Sequence, residues 1–126
     1  MSSLKLTLAL EGTIGKFPIC PLELIFELTG QTAASGPKEV TVPANTAPGS
    51  LSVNIEPMTT QNLLFICPDK DGAGVQYQLN GDGIDRSIPA GSFAIHPGGP
   101  VLTALDFGNS DLTKAASVTV LQLGLL

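Results

Sequence analysis

Apolar and polar residues alternate along most of this chain, and a period of two predicts β-strands. The clearest case is "LSVNIE" at 51–56, in which every second residue is apolar. The same alternation recurs in "LKLTLAL" at 4–10 and in "VQYQL" at 75–79. The stretch "NLLFIC" at 62–67 lacks the polar positions, which predicts a central strand covered on both faces. The pattern therefore predicts a chain built of strands.

Turn residues separate these strands at intervals of about 8–12 residues, which is typical of a β-sandwich. The chain has 14 Gly and 10 Pro residues, and helix signals are nearly absent from it. We expect an all-β fold with one antiparallel β-sandwich of the jelly-roll type, spanning residues 1–126 as a single domain. An extended loop is expected around residues 30–50, where Ala, Ser, Thr, Pro and Gly are abundant. The predicted core includes Leu6, Leu8, Leu24, Phe26, Val53, Ile55, Phe65, Val75, Leu79, Phe93, Leu105, Val118 and Val120.

The composition is unusually poor in charge. Charged residues make up 13% of the 126 residues and hydrophobic residues 43%, whereas a typical soluble domain is about 25% charged. Such a chain hides its apolar surface in an efficient core, in contacts with other subunits, or in both. The formal net charge is −5 and the six positive side chains are scattered, so a nucleic-acid partner is not expected.

The hydropathy pattern also bears on localisation. Lys5 and Thr7 interrupt the apolar residues near the N-terminus, so no signal peptide is predicted. The longest apolar run is "LLFIC" at 63–67, far shorter than the roughly 20 residues of a membrane span. We therefore expect no membrane partner, and a protein that stays in the cytoplasm unless it leaves as part of a larger particle.

The tripeptide Ile-Cys-Pro occurs twice, around Cys20 and Cys67, which are the two cysteines of the chain. A metal site would need more ligands, and a disulfide is disfavoured without a secretion signal. A thiol–imidazole dyad would have to use His96, the single histidine, and no spacing supports one. We expect both cysteines to be free, buried and dispensable. His96 is expected to cap a strand end in solvent.

Two acidic loops are the candidate ion sites. Asp69 and Asp71 lie in "PDKDGAG", and Asp82 and Asp85 lie in "NGDGID". Four carboxylates would converge on Ca²⁺ if the two loops met at one end of the sandwich. Both loops also fit hairpin turns, which is the favoured interpretation. We therefore expect no cofactor and no bound metal, with this set of Asp residues as the alternative.

No nucleophile elbow, phosphate loop or aromatic sugar platform is present in the sequence. The chain has no Trp and one Tyr, which counts against a carbohydrate-binding face. The sequence therefore predicts a protein that is not an enzyme and has no catalytic residues.

The last fifty or so residues resemble small β-sandwich virion proteins of tailed bacteriophages. The resemblance lies in the order of a "PAG" turn, a short strand with Phe, a "GGP" corner, an alternating "ALDF" strand and a terminal "ASVTVLQLG" strand. It implies a non-enzymatic capsid decoration (cement) subunit that stabilises joints between major capsid proteins. It also implies a place in the virion, after synthesis and assembly in the host cytoplasm.

A decoration subunit would bury its apolar surface against major capsid protein or other virion proteins, and against copies of itself. A closed ring, with a trimer favoured, buries such a surface in identical copies. The alternative is a small phage tail or fibre module, or a ligand-binding β-module, which would differ from cement in copy number. The candidate contact residues are Leu6, Leu8, Leu10, Leu121, Leu123, Leu125 and Leu126.

Overall fold

The structure is a computed structural model that describes residues 2–14, 17–30 and 33–125. Within these ranges the side chains of residues 2–36, 61, 62, 97 and 125 lie outside the description. The described residues contain strands and turns and no helix, so none of them forms a helix that could cross a membrane. The strands are β1 Ser2–Ile14, β2 Phe17–Gly30, β3 Ala33–Val42, β4 Thr46–Ser52, β5 Thr60–Pro68, β6 Val75–Leu79, β7 Arg86–Ile88, β8 Ala94–Pro97, β9 Leu105–Asn109 and β10 Ala116–Leu125.

The chain divides into two compact units, residues 1–32 and 33–126. The first is an antiparallel hairpin of β1 and β2, and its register pairs apolar with apolar positions. The single-domain organisation stays a prediction. The paired apolar positions are Leu4 with Leu28, Leu6 with Phe26, Leu8 with Leu24, and Leu10 with Leu22.

The second unit is an antiparallel β-sandwich, which confirms the predicted fold class. Sheet I has the strand order β3-β10-β5-β8, and sheet II has the order β4-β9-β6-β7. Every pairing between neighbouring strands in both sheets is antiparallel. One apolar cluster draws Leu64 and Ile66 from sheet I and Val75 and Phe107 from sheet II. The inner faces of the two sheets therefore share a single core.

The alternation of the strands explains how this core forms. Leu64 and Ile66 on β5 have no exposed surface, and neither does Phe107 on β9. Burying a side chain of this size contributes about 1.5–3 kcal/mol. Leu63 on the opposite face of β5 is also buried, so the prediction that β5 is covered on both faces is confirmed at residues 63 and 64.

The predicted core agrees with the structure at most of the described positions. Val75, Leu105, Val118 and Val120 are buried in the cluster. The partly buried residues Val53, Ile55 and Leu79 pack against it. Leu6, Leu8, Leu24 and Phe26 carry side chains outside the description.

The prediction was wrong for Phe93, whose side chain is 50% exposed. Phe65 is half-buried and lies on the face of sheet I that points away from the core, between Leu64 and Ile66. Because successive residues of a strand point to opposite faces, the two inward neighbours of Phe65 direct it outward.

The stretch around 30–50 is not an extended loop in its described part, because β3 and most of β4 lie there. Both are edge strands, β3 of sheet I and β4 of sheet II. An edge strand tolerates residues that would break the ladder of a central strand. Pro37 lies in β3 and Pro48 in β4, and the register shifts in both strands. Loop-like composition therefore hid two strands.

A buried amide fixes the end of the sandwich at which β9 runs into β10. Asn109 is 1% exposed, and its Nδ2 donates to the carbonyl oxygens of Val42 (3.3 Å) and Lys114 (2.8 Å). Its Oδ1 accepts from the backbone N–H of Asp111 at 3.0 Å. One side chain thus joins β3, β9 and the loop that follows β9.

We predict that Asn109→Ala lowers the free energy of unfolding by about 2–3 kcal/mol, because it removes the hydrogen bonds of a buried amide to the carbonyl oxygens of Val42 and Lys114 and to the N–H of Asp111. Urea denaturation followed by circular dichroism measures this loss.

Asn54→Ala is the matched control, since Asn54 is exposed. Its effect should stay within about 0.5 kcal/mol. Equal losses in the two variants would contradict the role given to Asn109.

Candidate functional site

The four candidate aspartates lie at the two ends of one strand. Asp69 and Asp71 come before β6, and Asp82 and Asp85 come after it. β6 has 5 residues, and a strand of that length spans about 17 Å. The two pairs therefore cannot converge. No group of three or more His, Cys, Asp or Glu side chains within the described residues is placed to hold a metal ion.

The carboxylates of the second pair are already engaged. Oδ2 of Asp82 lies 2.8 Å from a guanidinium nitrogen of Arg86, and Oδ1 accepts from the N–H of Ile84 at 3.0 Å. The hydrogen bond from Arg86 is the main cause of the lowered pKa of Asp82. Asp85 accepts from Nε2 of Gln78 at 2.6 Å. These contacts give both carboxylates structural partners.

The hairpin interpretation holds for one of the two loops. Residues 80–85 connect the paired strands β6 and β7, and both Asn80 and Gly81 have positive φ, at 52° and 65°. The N–H of Asp82 donates to the carbonyl oxygen of Leu79 at 3.0 Å, which closes a type I′ turn. The prediction was wrong for residues 69–74, because this loop runs from β5 in sheet I to β6 in sheet II.

A groove lies on the side of the sandwich where β7 and β8 form the sheet edges. Its volume is about 480 Å³. Its polar wall is formed by Arg86 of β7 in sheet II, by Asp82 of the turn before β7, and by His96 of β8 in sheet I. Leu79 and Leu102 supply its apolar wall. The remaining lining residues are Asn80, Gly98, Gly99 and Pro100.

Behind this groove, Tyr77 and His96 connect the two sheets. The Tyr77 hydroxyl lies 2.7 Å from Nε2 of His96, and their rings meet edge to face with centroids 5.7 Å apart. Tyr77 is 4% exposed and belongs to the core. His96 is half-buried within β8, paired with Leu64 of β5. The expectation that His96 caps a strand end in solvent was therefore wrong.

The charge next to this pair comes from Arg86. Its Cζ lies 5.8 Å from the centroid of the Tyr77 ring, within cation–π range. Burial raises the pKa of Tyr77, and the positive charge of Arg86 opposes that rise. Burial lowers the pKa of His96, and Arg86 lowers it further. Near neutral pH the phenol keeps its proton and the imidazole is uncharged.

The structure also separates the described cysteine from the histidine. Cys67 is a free, half-buried thiol. His96 pairs with Leu64 of β5, so the two side chains share one face of sheet I. Cys67 lies three positions after Leu64, and successive residues of a strand point to opposite faces. Cys67 and His96 therefore lie on opposite faces of sheet I. A Cys67–His96 dyad is excluded by this placement. The side chain of Cys20 lies outside the description.

The outer face of sheet I carries an apolar row. The register places Ile95, Phe65 and Leu121 side by side on β8, β5 and β10. Phe93 stacks on Phe65, with ring centroids 5.9 Å apart and an interplanar angle of 26°. Ile95, Phe65 and Leu121 are half-buried and Phe93 is exposed. We call these four residues the apolar row.

The predicted contact residues divide between exposed, buried and undescribed positions. Leu121 belongs to the apolar row, whereas Leu123 is 1% exposed and offers no accessible surface. The backbone of Leu125 lies in β10, but its side chain, like Leu126, is outside the description. Leu6, Leu8 and Leu10 fall on β1, and their side chains are likewise outside it.

The sequence pattern identified Leu121 but missed the aromatic part of the row. Alternation predicts Phe93 as a core residue, but Phe93 comes just before β8. The available signal was "LLFIC", in which Phe65 alternates with two core residues. Reading one face of that run as outward would have placed Phe65 on the surface of sheet I.

Comparison with known proteins gives no match to this chain, whether to a family model, to a curated protein or to a solved structure. Function therefore has to be argued from the residues themselves.

We predict that neither EDTA nor added Ca²⁺ changes the melting temperature of the protein. The aspartates sit at opposite ends of β6, and Asp82 is already paired with Arg86. A ligand that binds only the folded state would raise that temperature, by an amount that grows with the logarithm of the ligand concentration once it exceeds Kd. Differential scanning calorimetry in both conditions tests this, and a drop with EDTA that Ca²⁺ restores would contradict it.

Proposed function

We propose that this protein is a non-enzymatic structural subunit of a virus particle, of the capsid decoration type. It attaches to major capsid protein or other virion proteins, and to copies of itself, through the outer face of sheet I. The observation that carries the proposal is the apolar row, in which Phe93 stays 50% exposed while it stacks on Phe65. An aromatic pair on a sheet face offers contact area with little loss of side-chain entropy on binding.

The topology of the sandwich supports the proposal. A jelly roll has eight strands in two sheets, and the eight strands ordered β3-β10-β5-β8 and β4-β9-β6-β7 support that assignment. Most connections pass from one sheet to the other, and β6–β7 is the hairpin that stays in one sheet. We therefore propose a jelly roll, an architecture that serves viral capsid domains as well as lectins and cupins. The fold alone does not select among these functions.

The polar chemistry of the chain favours a structural role. The ionised groups of the groove are paired with each other, as Asp82 is with Arg86. His96 hydrogen-bonds to a core tyrosine, which holds its imidazole against Tyr77. With charged residues at 13% of the chain, the remaining surface suits contacts between subunits.

The alternative function is a phage tail or fibre module, or a ligand-binding β-module. The observation that favours it is the groove of about 480 Å³ on the β7/β8 side, which is large enough for a small ligand. Decoration and tail functions differ in stoichiometry, because cement covers the whole capsid surface and a tail module does not.

We predict that Phe93→Ser greatly weakens self-association and incorporation into particles, because it removes the exposed member of the apolar row. Light scattering of the purified protein and quantitation of particle-bound protein measure the two effects. The monomer should keep its fold, since a stacked pair contributes about 0.5–1.5 kcal/mol.

Leu112→Ser provides the matched control. Leu112 is 76% exposed on the loop that connects β9 to β10, and it is not part of the apolar row. It should assemble like the unaltered protein. Equal incorporation of both variants would show that the apolar row is not the attachment surface.

We predict that mass spectrometry of purified particles finds this chain in many copies per capsid, and that the isolated protein is a ring, with a trimer favoured. Closed symmetry lets identical copies bury the same surface. A few copies per particle would favour the tail module. A stable monomer absent from particles would refute both virion functions.

A further inference from the structure

The contact between Tyr77 and His96 lies on the side of the sandwich where the edge strands are short. β7 has 3 residues and pairs with β6, and β8 has 4 residues and pairs with β5. Each is the outer strand of its sheet on this side. Strands this short hold few ladder hydrogen bonds, so local opening is expected to begin here. A hydrogen bond that joins the two sheets at this point therefore helps to keep β7 and β8 from opening.

The proton of the Tyr77 hydroxyl determines how this bond responds to acid. Tyr77 is 4% exposed, and a buried phenol needs an acceptor for its proton. Nε2 of His96, at 2.7 Å, is the hydrogen-bonding atom that the structure places beside it. The tautomer that satisfies this requirement has the phenol as donor, Nε2 without a proton and the imidazole proton on Nδ1.

Protonation of His96 would turn its acceptor into a donor. Nε2–H and the phenolic O–H would then face each other, and the Tyr77 proton would lose its acceptor inside the core. The new positive charge would also lie near Arg86, whose guanidinium is over the Tyr77 ring. Both changes oppose the closed arrangement.

The groups around His96 do not compensate for that charge. From β6 it faces Tyr77, and from β7 it faces Arg86. Asp82 also lines the groove, but its carboxylate is paired with Arg86. From β5 the paired residue is the apolar Leu64. The 98–102 segment of the groove contains no titratable side chain.

We infer that the Tyr77–His96 hydrogen bond is an acid-sensitive latch, which keeps the β7/β8 side of the sandwich closed and opens when His96 is protonated. Opening exposes the apolar wall of the groove, including Leu102, which is 3% exposed in the closed form. The latch is independent of the proposed role in a virus particle, because it belongs to the isolated chain.

The direction of the pH dependence follows from the protonation states. The pKa of His96 in the folded protein lies below its ordinary value of 6.5. The unfolded chain therefore binds the proton first as the pH falls. The stability that the neutral latch provides is complete above pH 6.5 and is lost as the pH falls through the folded-state pKa.

The test begins with the unaltered protein, because its single histidine makes the imidazole signals unambiguous. A titration by NMR should give a pKa below 6.5 for His96. Hydrogen exchange at about pH 7.5 and about pH 5, corrected for intrinsic rates, should show faster opening of β7 and β8 at the lower pH. The opening equilibrium should rise up to about tenfold for each unit by which the pKa is lowered.

His96→Gln separates the latch from general acid destabilisation. The amide oxygen of Gln accepts from the Tyr77 hydroxyl at either pH, so exchange in β7 and β8 should no longer depend on pH in this range. Tyr77→Phe keeps the ring but removes the hydroxyl, and it should open β7 and β8 already near neutral pH. It serves as the second variant if His96→Gln does not fold.

Two results would overturn the inference. One is a His96 pKa at or above its ordinary value in the unaltered protein. The other is exchange in β7 and β8 that responds to pH in His96→Gln, or in a folded Tyr77→Phe, as strongly as in the unaltered protein.

Discussion

The packing of two inner sheet faces against one another is the interaction on which the rest of the sandwich depends. On one side the outer strands β7 and β8 have 3 and 4 residues, so they make few ladder hydrogen bonds. Ile88 from β7 and Ala94 from β8 reach the same apolar cluster as Phe107 and Leu64. Each outer strand is thus positioned by burial of its side chains more than by its ladder.

The same constraint determines what the outer surface displays. Once Leu64 and Ile66 point into the core, Phe65 must point out, and the register brings Ile95 and Leu121 alongside it. The apolar row is therefore tied to the core by the geometry of the strand. On the β7/β8 side, the buried Tyr77 meets two polar groups of the groove, His96 at its hydroxyl and Arg86 over its ring.

Much of the fold was predictable, because alternation depends on local sequence alone. It identified the strands at 4–10 and 75–79, and it identified Val75, Val118 and Val120 as core residues. The prediction was wrong for most of 51–56, because β4 ends at Ser52. It could not identify which strands are neighbours in a sheet, since that depends on contacts far apart in sequence. The loop at 69–74 shows this limit, because its turn residues fit a hairpin while its flanking strands belong to different sheets.

The site was harder to predict than the fold. The sequence drew attention to Asp69, Asp71, Asp82 and Asp85, yet the order of the chain already places β6 between the two pairs. The hydrogen bond of His96 to Tyr77 joins residues 19 apart on different sheets, and no local pattern predicts it. Phe93 lies just outside β8, where alternation no longer indicates which face a side chain takes.

The composition of the edge strands has a consequence for solubility. A protein with 13% charged residues and open sheet edges is at risk of joining edge to edge into fibrils. Here Pro37 lies in β3 and Pro48 in β4, and β7 and β8 are too short to template a long pairing. These edges discourage indefinite strand addition. Copies of the chain would therefore associate through side-chain surfaces, and contacts of that kind can close into an assembly of defined size.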